Sequence, residues 1–161
     1  MNIRKTVTED LNAVVKIYEN ARQFMRESGN KNQWIGRPDE NDVMHDIESG
    51  NGYVVEGYGG EIIGAFFFCC GDDPTYKIIY DGKWINDTAY GVIHRIAVKH
   101  HGCGIADFIY NYCFNIRQNL KIDTHKDNIP MQKSLLKNGF KYCGIIHLEN
   151  GDERLAFQKT Y

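Results

Sequence analysis

The apolar run Ile96-Ala97-Val98 leads into Lys99-His100-His101-Gly102-Cys103-Gly104-Ile105-Ala106, and apolar residues at helical spacing follow. Glycines at 102 and 104 ahead of a helix expose backbone N–H groups that the helix cannot satisfy, and their missing side chains admit a ligand close to the main chain. With the positive end of the helix dipole added, such a loop suits an anion, either phosphate or pyrophosphate. The chemistry stops at a phosphate-bearing ligand, and a GxG pair is equally the mark of a plain tight turn. The loop is not GxxxxGK[ST], and it lacks the third glycine and following acidic residue of a dinucleotide fingerprint. His100, His101 and Cys103 are metal-ligand types, but clustered on this loop they read as solvent-facing side chains, and no metal is expected.

A strand and a helix must hold that loop. From Tyr90 to Val98 the alternation Val92, His94, Ile96, Val98 against Ile93, Arg95, Ala97 predicts a strand with His94 on the face of Ile96 and Val98. Ile105, Phe108, Ile109, Tyr112 and Ile116 predict the helix, and Leu120 to Thr124 a second strand. Asp127 or Asn128 caps a further helix that tolerates Pro130 in its first turn and ends at Asn138-Gly139. Strands at Phe140 to His147 and Glu153 to Lys159 then flank an Asn150-Gly151 turn. Upstream, Met1 to Val7 reads as a strand. A helix begins at Thr8-Glu9-Asp10 and carries Leu11, Val14, Val15, Tyr18, Ala21 and Met25 on one stripe, and another spans about Glu40 to Glu48. Gly52 to Glu56 and Glu61 to Cys70 form a hairpin about Gly59-Gly60. A second hairpin is expected at Asp81-Gly82, between Tyr76 to Tyr80 and Lys83 to Ile85.

Composition narrows the class of protein. The 161 residues carry 19 Lys and Arg against 21 Asp and Glu, a formal charge of −2, with no basic run, so backbone wrapping of nucleic acid is not expected. The longest apolar stretch, Ile62 to Cys70 around Gly64, is far short of the ~20 residues of a membrane-spanning helix. The start lacks the apolar core of a secretory signal, and five cysteines without CxxC pairing read as reduced thiols, which together point to the cytoplasm. One domain over 1–161 is expected, because a chain of this length buries roughly 68–70% of its unfolded surface without disulfides or structural metal.

Three features together resemble the GCN5-related N-acetyltransferases, the GNAT family. Ile96 to Ala106 is similar to that family's [QR]-x-x-G-x-[GA] acyl-coenzyme A signature, with Lys99 in place of the usual Gln or Arg. Asn128 and a helix ending in Gly139-Phe140 are similar to the family's N-x(10)-G-F block, and the order of elements agrees over the whole chain. The resemblance implies an α/β GNAT fold, a mixed central sheet of about seven strands flanked by about four helices. It also implies acetyl-CoA wedged between splayed fourth and fifth strands. Pyrophosphate would lie on the N–H groups of Lys99, His101, Gly102, Cys103, Gly104, Ile105 and Ala106. Pantetheine would pair with the backbone of Ile96, Ala97 and Val98, and Asn128 would hydrogen-bond its arm.

The activity so implied is N-acylation of a primary amine by direct attack in a ternary complex, the acceptor being a small molecule or a peptide N-terminus. A homodimer is compatible with it. Such a reaction needs a base for the amine, and His94 is the first candidate because an imidazole with pKa ~6.5 is largely neutral at cell pH. A histidine simply satisfied within the sheet is the competing reading. His125, Tyr90 and Asp123 follow as candidates. The family's general-acid tyrosine is replaced by Leu135, with Tyr142 and Cys113 as substitutes, and a non-catalytic acyl-CoA sensor is the alternative that this gap keeps open. Trp34, Tyr76, Tyr80 and Trp84 are expected to rim the acceptor pocket, with the segment from Asp72 to Asn86 as its lid. For each of these four, ordinary packing is an equal alternative.

Overall fold

The computed structural model describes residues 1–161. In chain order it contains β1 (Asn2–Lys5), α1 (Leu11–Glu27), α2 (Glu40–Glu48), β2 (Gly52–Glu56), β3 (Ile62–Cys70), β4 (Gly91–Val98), α3 (Ile105–Ile116), β5 (Asn119–Thr124), α4 (Ile129–Lys137), β6 (Lys141–His147) and β7 (Glu153–Thr160). The seven strands form one mixed sheet ordered β1-β2-β3-β4-β5-β7-β6, in which only β4 and β5 are parallel. The expected α/β architecture of seven strands and four helices is therefore present.

Each helix stripe covers one face. Val14, Ile17, Tyr18 and Ala21 of α1 pack with Val43 of α2 over Val54, Ala65 and Ala97. On the other face Ile105, Ile109 and Tyr110 of α3 and Leu135 of α4 bury Phe66, Phe68, Ile93, Ile122 and Phe157. A third cluster, Tyr76, Trp84, Val92, Cys143, Ile146 and Ala156, closes the remaining end of the sheet.

Two features of β4 create the site. Its pairing with β5 is confined to Gly91 with Leu120 and Val92 with Lys121, and beyond those pairs the two strands are no longer hydrogen-bonded to each other. Its register with β3 jumps from Ala65–Ala97 to Phe67–His94, so Arg95 and Ile96 together oppose Phe66. That bulge seats Arg95 in the left-handed region, φ 56°, an unusual conformation for a residue with a Cβ. The extra residue breaks the expected alternation. Ile93, Ile96 and Val98 pack toward α3, whereas Val92 and Ala97 belong to clusters on the other face.

The expected hairpin at Asp81-Gly82 is not formed. Residues 77–86 instead run along the edge strand β6, where Tyr80 and Ile145 exchange backbone hydrogen bonds of 2.8 Å each. A Cβ at Gly82 would stand 1.9 Å from the Cys143 carbonyl oxygen, so the glycine is required by close approach to a neighbouring strand. The segment thereby covers an edge that would otherwise be open to pairing.

Candidate functional site

After Lys99 N–H donates to the Ile63 carbonyl (2.8 Å), the next backbone donor engaged within the protein is Phe108 N–H, to the Gly104 carbonyl (3.0 Å). The N–H groups of His100 to Asp107 are thus free, across the loop and the first turn of the twelve-residue α3. Gly102 and Gly104 sit at φ 75° and 74°, and a Cβ at either would meet nothing within 4 Å. These residues form an open cradle of donors at a helix N-terminus, which is anion-binding chemistry. Asp107, the one carboxylate in that first turn, is engaged by Lys137 (2.8 Å) and Asn138 (2.9 Å). The Lys99 ammonium pairs with Glu61. His101 stacks on Phe24 of α1, centroids 3.8 Å apart, and burial holds its imidazole below the ordinary range.

From that loop a trough of about 110 Å³ runs between α1 and the divergent β4 and α4, lined by Phe24, Met25, Ile96, Val98, Ala106 and Met131 among others. It shares Met25, Ile96, Asn128 and Met131 with a larger cavity of about 300 Å³ between β4 and β5. Asn128 stands at their junction. Its Oδ1 accepts from Met131 N–H (3.2 Å), capping α4, and its Nδ2 donates to Gln33 Oε1 (3.1 Å).

His94 lines the larger cavity. Its Nε2 lies 2.8 Å from Asp73 Oδ2, and its Nδ1 is 3.9 Å from Asp123 Oδ2. Burial pushes the Asp73 carboxyl up, but hydrogen bonds from His94 and from the Thr75 hydroxyl and backbone N–H outweigh it and hold it at about 2. An ionised carboxylate only accepts, so the neutral imidazole carries its proton on Nε2 and keeps its lone pair on Nδ1. Two further hydroxyls fix the pair. Tyr90 Oη accepts from Asp73 N–H (3.0 Å), and Tyr76 Oη donates to Asp123 Oδ2 (2.7 Å).

The fold that carries this site has known counterparts. The sequence matches no protein-family model and no curated protein. Among solved structures, a GNAT-family acetyltransferase from Streptococcus agalactiae 2603 superposes with a TM-score of 0.91 at 31% identity, covering 99% of this chain and 95% of that one. The chain belongs to the GNAT family of acetyltransferases. The fold alone extends further within the family. A GNAT acetyltransferase from Listeria monocytogenes 4b F2365 gives a TM-score of 0.73 at 18% identity, with 99% and 94% coverage. An N-acetyltransferase from Staphylococcus aureus Mu50 gives 0.67 at 19% identity, with 99% and 97% coverage.

As a GNAT, this chain brings together most but not all of the residues singled out from its sequence. His94, Ile96, Asn128 and Trp34 line the larger cavity, Trp34 braced edge-on against Tyr18 at 5.6 Å. Because of the bulge at Arg95, His94 faces away from the direction of Ile96 and Val98, a correction to the strict alternation read from sequence. Tyr76 is buried and does not line the cavity, but its hydroxyl donates to Asp123 and its ring lies 6.0 Å from that of His94. Tyr80 and Trp84 do not line the cavity. Tyr80 stacks on His147 (4.6 Å), and Trp84 donates to the Tyr76 carbonyl (2.8 Å) and packs beneath the Lys121 ammonium (4.2 Å). Within segment 72–86, Tyr80 and Trp84 thus pack and cover the sheet edge, whereas Asp73 and Tyr76 reach the site.

No polar side chain stands at the position where the resemblance implied a general acid. Leu135 is fully buried in the α3-side core, Tyr142 is half exposed on β6, and Cys113 is sealed with burial pushing its thiol well above its ordinary range. The structure adds Gln33 and Arg154 to the cavity wall and Asp73 beside His94, none of which a local sequence pattern marks as functional. Asp73-Pro74 carries the signal of a turn start, but nothing local places it beside a histidine 21 residues on.

Proposed function

We propose that this GNAT enzyme transfers the acetyl group of acetyl-CoA to a primary amine by direct attack, with His94 as general base and Asp73 as its positioning residue. The observation that carries the reading is His94, hydrogen-bonded to Asp73 and lining a cavity that shares four residues with the trough at the glycine cradle. The donor set fits acetyl-CoA: free N–H groups from His100 to Asp107 for pyrophosphate, and an apolar trough for the pantetheine arm. Acetyl-CoA would supply a thioester carbonyl open to attack and a thiolate leaving group. Backbone groups of β4 beyond Val92, freed by the divergence from β5, offer pairing to the amides of that arm.

His94 Nδ1 would accept the proton of the attacking amine, while Asp73 on Nε2 stabilises the imidazolium that forms. Asp123, 3.9 Å from Nδ1, adds a second negative charge beside that proton. With no hydroxyl on α4 at position 135, the thiolate departs without a protein acid there, which a thiol of pKa ~8.5 tolerates near neutral pH. The acceptor class is a small-molecule amine or a peptide N-terminus.

Thiol release from acetyl-CoA over a panel of primary amines tests the reading. His94→Ala should lower kcat by ~10²–10⁴ while the acetyl-CoA Kd stays within about twofold. Undiminished turnover in the folded variant would remove His94 as base. Binding of acetyl-CoA without thiol release for any amine in the unaltered protein would leave an acyl-CoA sensor.

A further inference from the structure

Arg154 of β7 has 8% of its surface exposed, yet no carboxylate oxygen lies within 4.0 Å of its guanidinium. Its one hydrogen bond runs from Nη1 to the Glu153 carbonyl (2.9 Å). The other guanidinium nitrogens are not among the sealed, unpartnered atoms of the protein, so they open onto space. That space is the cavity of His94 on one side and an adjoining cavity of about 400 Å³ on the other. A cation buried to this extent is ordinarily paired.

The surroundings do not supply the missing anion. Asp123 accepts from Tyr76, Asp152 is held by Asn150 (3.1 Å), and Glu153 points from the opposite face of β7 with its side chain 65% exposed. The cavities that Arg154 faces are lined by these carboxylates but also by a donor, His125. His125 Nδ1 accepts from Asp127 N–H (3.0 Å), which leaves the ring proton on Nε2, and His125 lines the adjoining cavity beside Arg154. Burial, reinforced by the Arg154 charge, pushes that imidazole below its ordinary range. Along β7, Arg154 stands two residues from Ala156, the partner of Asp123 on β5, so side-chain alternation puts Arg154 on the Asp123 face.

We propose that the acceptor of this enzyme is an amine that also carries an anionic group, a carboxylate or a phosphate, bound by Arg154 with its nitrogen at His94. The cavity then has two poles. Asp73 and Asp123 draw the ammonium toward His94, and Arg154 receives the anion from the side of His125. The inference rests on the acetyl-transfer reading for the identity of the nitrogen, but the anion site itself can be read by binding alone.

The test is calorimetric titration, in the presence of coenzyme A, of matched pairs: amino acids against their carboxamides, and phosphoethanolamine against ethanolamine. A charge-assisted contact should make the anionic member bind ~10- to 100-fold tighter, and the pair that shows the gap identifies the anion. Arg154→Gln should erase the gap while the Kd values of the neutral members and of coenzyme A stay within about twofold, and Arg154→Lys should restore part of it. Equal binding of both members, no binding of any anionic member, or a gap that survives Arg154→Gln would overturn the proposal. The comparison within the unaltered protein needs no variant to fold. A gap without thiol release from acetyl-CoA would uphold the anion site and sink acetyl transfer. Turnover of neutral amines without a gap would do the reverse.

Discussion

Replacing Asp73 by asparagine changes two things that the structure allows to be separated. Both Thr75 contacts, from the backbone N–H (2.9 Å) and the hydroxyl (2.7 Å), fall on Asp73 Oδ1, whereas His94 Nε2 faces Oδ2. An asparagine that keeps the Thr75 bonds must therefore turn its NH₂ toward His94. Nε2 then has to accept, the ring proton moves to Nδ1, and the lone pair leaves the cavity. Loss of the base by this route should lower kcat by ~10²–10⁴, with acetyl-CoA affinity little changed. Stability should change as well. A carboxyl held at about 2 instead of its ordinary 3.8 is worth ~2 kcal/mol at neutral pH, at ~1.36 kcal/mol per pH unit. The folded pKa is depressed, so this contribution is complete above about 4 and disappears as pH falls toward 2. Urea unfolding of the unaltered protein and the variant should thus differ by ~2 kcal/mol at pH 7 and converge on acidification. Thiol-release kinetics and the nitrogen chemical shifts of the imidazole complete the assay. A variant with full kcat whose His94 proton has moved to Nδ1 would refute the base assignment, and one with an unmoved proton would refute the positioning role.

Gly102→Asp adds a carboxylate to the donor cradle at a position with open space, so the fold should survive while the acetyl-CoA Kd rises at least about tenfold. Trp84→Ala removes a buried ring from the cluster of Tyr76, Val92 and Ile146, and should cost ~3–5 kcal/mol of unfolding free energy without altering acceptor KM. A selective change in acceptor KM at full stability would restore a lid role to this segment. Gly82→Ala forces a Cβ to within 1.9 Å of the Cys143 carbonyl and should lower Tm by several degrees, whereas Gly59→Ala, with open space around it, should cost only the strain of its positive φ, ~1 kcal/mol.

Sequence alone determined the elements and their order, because helix stripes, glycine turns and caps are written within a few residues of one another. The Asn128 cap, the tight turn after Gly57 and the donor loop at α3 all lie where local pattern put them. It also determined that the loop before α3 would offer free N–H groups, since no helix satisfies its own first turn. Tertiary structure decided the rest. A bulge opposite Phe66 shifts the alternation of β4 after His94, and a one-residue shift sends every later side chain to the other face. The Asp81-Gly82 signal serves the approach of β6, a contact made across more than sixty residues, and not a hairpin of its own. Asp73 meets His94 only when β3, β4 and their connection are assembled, and Arg154 becomes a buried cation facing a cavity only when β7 inserts between β5 and β6. Such pairings join charges far apart in the chain, and no local period encodes them.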